Sequence, residues 1–136
     1  QYMAKSIAIV AGSYHKESVE LMVEKAKEIA TSTNLIVEEV SWVPGSMEVP
    51  LQIKRLFLRD SIDGAVVLGI IENGETKHGL VMGQAVTNAL IDLQIASMKP
   101  IGFGIIGPGA KPEQIEKRLL SYAEKAVLAV SEMLSN

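Results

Sequence analysis

The chain predicts an α/β fold, a parallel sheet covered by helices, and three observations carry that reading. Short apolar runs alternate four times with stretches of helical periodicity. The third run, Ala65-Val-Val-Leu68, contains no polar residue, as expected of a strand buried on both faces. Glycine punctuates the chain after every run, at Gly12, Gly45, Gly69 and Gly107. With 136 residues the chain is read as one domain, 1–136. A domain of roughly 150 residues buries about 68–70% of its unfolded surface and holds a core without staples.

Each element follows from its local pattern. Ile7 to Ala11 is an apolar strand ending at Gly12, and Val19, Met22, Val23, Ala26, Ile29 and Ala30 then recur on one helix face. Leu35 to Val43 is rich in β-branched residues and runs into the turn pair Pro44-Gly45. Pro50 then stands near the start of a helix carrying Ile53, Leu56 and Phe57. After the strand at Ala65–Leu68, a third helix carries Val81, Ala85, Ala89 and Leu93, with Met82, Val86 and Leu90 widening its apolar face. So broad a face predicts burial on more than one side. The last strand, Ile101 to Ile106, leads through a Gly/Pro turn to a long helix with Ile115, Leu119, Tyr122, Ala126, Val127 and Val130 inward. Parallel strands need right-handed crossovers. The expected architecture is therefore a three-layer αβα arrangement with a four-stranded parallel sheet, flavodoxin-like and shortened.

Composition narrows the function. The formal charge is −3 and the basic residues are interspersed with acids, so the footprint of a nucleic-acid binder is missing. Cysteine is absent, which removes thiolate chemistry and any sign of an oxidising compartment. His15 and His78 have no metal-ligand spacing around them, and no metal is expected. No apolar run approaches the ~20 residues that span a bilayer, so a cytoplasmic protein without membrane contact is expected.

The four strand-to-helix loops should emerge at one edge of the sheet, where ligands of such folds bind. Tyr14 stands just beyond the first strand, where its ring can stack on a flat heterocycle or simply form a partly buried rim. Ser46, Met47 and Glu48 open the second helix with backbone N–H groups and a carboxylate suited to a polar ring or a sugar-like chain. Glu48 could equally complement the helix dipole. Trp42, just upstream, is read as core or interface. Gly74, Glu75 and Thr76 offer N–H groups and a hydroxyl at a helix head, an arrangement that binds phosphate. His78 could move protons near neutral pH or be a surface residue of the first helical turn. Arg118 and Lys125 are seven residues apart on one face of the last helix. There they either clamp a phosphate or are solvated.

One pattern is set aside. Gly102-Phe-Gly104-Ile-Ile-Gly107 matches the three-glycine dinucleotide fingerprint but lies inside the fourth strand, with Pro108 where a helix should begin and no later strand to supply the ribose-binding acid.

Taken together, Trp42-Val-Pro-Gly-Ser-Met-Glu-Val-Pro50, Leu68-Gly69 with Gly74-Glu-Thr-Lys-His78, and Phe103-Gly104 resemble the 6,7-dimethyl-8-ribityllumazine synthase family of riboflavin biosynthesis, in the same order over nearly the whole chain. The resemblance implies condensation of 5-amino-6-ribitylaminouracil with 3,4-dihydroxy-2-butanone 4-phosphate, without a cofactor. It implies that Tyr14 stacks on the pyrimidine, that Ser46, Met47 and Glu48 hold the ribityl chain, and that Ile70 and Ile71 contact substrate. It further implies that Gly74, Glu75, Thr76 and Arg118 bind phosphate and that His78 transfers protons. Phe103 would reach the site from a neighbouring subunit, and Lys125, after a one-residue shift, would contact substrate. A homopentamer with active sites between subunits is implied, with an icosahedral shell of pentamers as the alternative. Two rivals are an archaeal-type riboflavin synthase and a non-catalytic flavin- or purine-binding module.

Overall fold

A computed structural model describes residues 3–71, 78–107 and 112–136. Four parallel strands, β1 (Lys5–Gly12), β2 (Leu35–Val43), β3 (Gly64–Ile70) and β4 (Ile101–Ile106), form one sheet in the order β2-β1-β3-β4. The helices between and after them are α1 (Lys16–Ser32), α2 (Val49–Phe57), α3 (His78–Ser97) and α4 (Pro112–Ser135), with a 3-10 turn at Ser46–Glu48 ahead of α2.

Strand alternation divides the core in two. Ile7, Ile9 and Ala11 of β1, Val66, Leu68 and Ile70 of β3 and Ile106 of β4 pack under α1 and α4. Ala8, Val10, Ala65, Val67 and Ile101 face α2 and α3, with Phe103 and Ile105 at the margin. The central strands β1 and β3 are therefore covered on both faces, which is why their sequences carry no alternation. Helix α1 ends at a left-handed Asn34 (φ 61°), a conformation that asparagine adopts more readily than most residues. Pro50 sits in the first turn of α2, where its missing N–H breaks no helical bond.

The glycines of the set-aside dinucleotide pattern have a packing role. A Cβ on Gly102 would lie 2.1 Å from the Ala126 carbonyl oxygen, and one on Gly104 would lie 2.6 Å from Leu68 Cδ2. Helix α4 thus rests almost directly on the β4 backbone.

Helix α3 departs from expectation. Its inward residues are Met82, Val86, Leu90 and Leu93, whereas Val81 is 60% exposed and Ala85 also faces solvent. Within one chain α3 meets α2, the 3-10 turn and the margin of β4. Only one side of its broad apolar face is covered. Leu80, Val81, Ile91 and Ile95 remain outside.

Lys99 connects the α2 terminus to the segment entering β4. Its Nζ donates to the carbonyls of Phe57 (3.0 Å) and Arg59 (3.1 Å) and lies 5.5 Å from the Phe57 ring centroid. The Phe57 carbonyl is among those a helix end leaves unpaired, whereas that of Arg59, beyond the helix, also accepts from Ile62 N at 3.3 Å. Lys99→Met is expected to lower stability by about 1–2 kcal/mol, measured as a shift of the urea midpoint without a change in slope.

Candidate active site

Because the strands are parallel, the loops after them share one edge, and the order β2-β1-β3-β4 puts the topological switch point between β1 and β3. The backbones come close there. A Cβ on Gly12 would lie 3.9 Å from the Gly45 carbonyl carbon and 4.0 Å from the Leu68 oxygen, and one on Gly69 would lie 3.8 Å from Ser46 Oγ. The first two loops are also bonded, Ser13 N donating to the Val43 carbonyl at 2.8 Å. Ser46 is the buried polar side chain among the described residues. Glu48 folds back over Gly45, its Oε1 only 3.5 Å from where a Cβ would stand. The result is a junction where the ends of β1 and β3 pack closely against the turn after β2, with the Ser46 hydroxyl buried in it and the exposed Glu48 beside it.

Tyr14 leaves the same edge and is 54% exposed, its ring 4.4 Å from that of His15 between centroids. Met47 is also exposed, at 58%. His78 is exposed at the first residue of α3. Gly74, Glu75 and Thr76 lie outside the described residues, as do residues 108–111. Trp42 is half-buried against the α1–α4 core, with Lys16 Nζ 5.1 Å from its ring centroid.

The remaining candidates are more dispersed. Ile70 buries its side chain beneath α1 and α4. Ile71, whose N donates to the Ile106 carbonyl at 2.9 Å, lines a groove of about 590 Å³ with Phe103, Ile105, Gln84, Thr87 and Asn88. Arg118 and Lys125 are exposed on α4, about 10 Å apart along its axis at ~1.5 Å per residue. The register sets Phe103 apart from Tyr14: Phe103 pairs with Val67 and Val67 with Val10. At ~4.8 Å between strands and ~3.3 Å per residue, Phe103 stands roughly 10 Å sideways and at least about 7 Å back along the strands from the turn that bears Tyr14.

A polar lattice anchors the helix behind Glu48. Gln52 Nε2 donates to Ser41 Oγ (3.1 Å), and Ser41 Oγ donates to Glu39 Oε2 (2.6 Å). Arg59 Nη1 donates to Glu39 Oε1 (2.6 Å). The Ser41 hydroxyl, and after it the Arg59 guanidinium, hold the Glu39 carboxyl below the usual carboxylate range.

The sequence profile of 6,7-dimethyl-8-ribityllumazine synthase matches residues 4–136. The chain belongs to the 6,7-dimethyl-8-ribityllumazine synthase family. Among its relatives, the 6,7-dimethyl-8-ribityllumazine synthase of Metallosphaera sedula is 39% identical over 127 residues, covering 93% of this chain and 84% of the relative. That of Staphylothermus marinus is 38% identical over 129 residues, covering 95% and 86%. That of Saccharolobus islandicus is 37% identical over 128 residues, covering 94% and 83%. The profile spans every strand and helix, including the lumazine synthase segment Trp42–Pro50 and the strand bearing Phe103.

Sequence reasoning passed over two features of this lumazine synthase fold. The polar side chains of Gln84, Thr87 and Asn88, which wall the groove, are hidden in an apolar helical pattern that draws attention to its hydrophobic positions. The left-handed His15 (φ 58°) lies in a loop already singled out, but no pattern of residue types announces its conformation. Among the described residues, no helix is long and apolar enough to cross a membrane.

Proposed function

We propose that this chain condenses 5-amino-6-ribitylaminouracil with 3,4-dihydroxy-2-butanone 4-phosphate to 6,7-dimethyl-8-ribityllumazine, within a single domain and without a cofactor. The observation that carries this reading is the family match across residues 4–136, together with Tyr14, Ser46, Glu48 and His78 on loops and helix starts at one sheet edge. The amine of the uracil attacks the ketone and water is lost as the imine forms. Phosphate then leaves by elimination, and attack by the ribityl-bearing nitrogen closes the second ring with loss of a further water. Every step moves protons and none moves electrons to an acceptor.

Tyr14 stacks on the pyrimidine, Ser46, Met47 and Glu48 hold the ribityl chain, and Ile71, with the Ile70 backbone, borders the reacting carbons. Gly74, Glu75, Thr76 and Arg118 hold phosphate, and His78 transfers protons beside it. Lys125 contacts substrate. Holding two substrates together supplies much of the acceleration, so general acid–base help from a histidine is a smaller factor. His78→Ala is expected to lower kcat about 10²-fold with the melting temperature unchanged; complete loss of turnover in a folded variant would contradict this division of labour.

The active site is shared between subunits of a homo-oligomer, a pentamer or a shell built from pentamers, in the cytoplasm. The family resemblance assigns Phe103 to a neighbouring subunit's site, and its offset from Tyr14 across the sheet is compatible with that. The uncovered apolar residues of α3 supply surface for association. Following lumazine fluorescence and inorganic phosphate after mixing both substrates tests the reaction. Phosphate-linked appearance of lumazine is expected. Riboflavin formed from lumazine alone would instead indicate the riboflavin synthase, and tight flavin binding without turnover a binding module.

A further inference from the structure

We propose that His15 is a positioning residue, whose imidazole holds the Tyr14 ring in the orientation that receives the flat ring of the heterocyclic substrate. The inference rests on the reaction proposed above and adds a residue to it. Tyr14 projects from a turn with half of its surface in solvent, so the protein core does not enclose its ring. The His15 ring meets it edge to face, with centroids 4.4 Å apart and planes at 65°. This geometry matches the attraction between the positive edge of one ring and the negative face of another.

His15 is itself firmly placed. It adopts φ 58° and ψ 49° at the residue before α1, and its carbonyl accepts the first helical bond, from Val19 N at 3.1 Å. The flanking residues are tethered too: Ser13 N bonds the Val43 carbonyl, and the Lys16 ammonium lies over Trp42. A left-handed residue that is neither glycine nor asparagine costs conformational energy, and such residues cluster where a site requires them. Histidine tolerates this region better than most and adds an aromatic edge that asparagine or glycine would lack. A platform held before the ligand arrives loses less freedom on stacking, so the contact favours binding of the ring rather than the later chemistry.

His15→Asn and His15→Phe separate the ring from the backbone. Asparagine keeps the left-handed conformation and removes the aromatic edge. Phenylalanine keeps an aromatic edge in a conformation it resists. For His15→Asn the expected result is a KM for 5-amino-6-ribitylaminouracil raised roughly three- to tenfold, with kcat, the KM of the phosphorylated ketone and the melting temperature unchanged. For His15→Phe it is the reverse, a KM near that of the unsubstituted protein and a lower melting temperature. In a Tyr14→Ala background, His15→Asn should raise the KM no further. The proposal is overturned if His15→Asn leaves that KM unchanged, or raises it equally with Tyr14 absent. If the unsubstituted protein makes no lumazine, the reaction assignment fails. Titrating the same variants with 6,7-dimethyl-8-ribityllumazine and following its fluorescence then decides the role of His15 independently: equal affinities overturn it, and weaker binding by His15→Asn alone supports it.

Discussion

Gly102→Ala is expected to destabilise the protein by about 3 kcal/mol, the upper end of the range for overpacking, and to lower the melting temperature by about 10 °C. The added methyl would stand 2.1 Å from the Ala126 carbonyl oxygen and 2.8 Å from its carbon, with Val130 Cγ2 at 3.0 Å. The first two atoms belong to the backbone of a long helix, which cannot rotate aside as a side chain can. Relief requires α4 to lift from the sheet, and Ala123, Ala126, Val127 and Val130 would lose their packing with it. Gly107→Ala is the matched control, because a Cβ there meets no atom of the described residues within 4 Å, and a change within about 0.5 kcal/mol is expected. Urea unfolding of both variants at one protein concentration makes the comparison. Equal stabilities would mean that α4 does not sit against β4 as described.

Arg118→Ala is expected to raise the KM for 3,4-dihydroxy-2-butanone 4-phosphate roughly 10²-fold while changing kcat far less. Two charge-assisted hydrogen bonds from one guanidinium, discounted for the exposure of Arg118, give an effect of that order. The effect falls on binding because the phosphate is already charged in the ground state, so the arginine holds substrate and transition state alike until phosphate departs. Arg118→Lys should recover only part of the loss, since an ammonium keeps the charge without the planar fork. Steady-state kinetics with the uracil saturating is the measurement. An unchanged KM would remove Arg118 from the site, whereas a fall in kcat alone would place its role in the chemistry.

The two predictions draw on different levels of information. The role of Arg118 comes from a family pattern read along the chain, and its exposed position on α4 is compatible with that role without assigning it. The role of Gly102 was invisible as a pattern: the three-glycine spacing invited a nucleotide-binding interpretation, which its place inside β4 excluded. Only the packed helix shows what the missing side chain permits. Helix α3 illustrates the converse. Its sequence is apolar over a broad arc, and periodicity alone predicts burial on more than one side. In the folded chain Met82, Val86, Leu90 and Leu93 turn inward while Val81 and Ala85 do not. A hydrophobic pattern records that a surface avoids water but not which molecule covers it.

The sequence by itself determined the alternation of strands and helices, the limits of β2 and β4, and the family, because these depend on local periodicity, turn residues and ordered motifs. Tertiary structure alone decided that Gly12, Gly45 and Gly69 bring the ends of β1 and β3 close to the turn after β2, that Phe103 stands level with Val67 and Val10 across the sheet, and that the His15 and Tyr14 rings meet edge to face. The physical reason is that these facts arise from strand order, register and backbone torsion, which combine residues remote along the chain and leave no periodic trace within it.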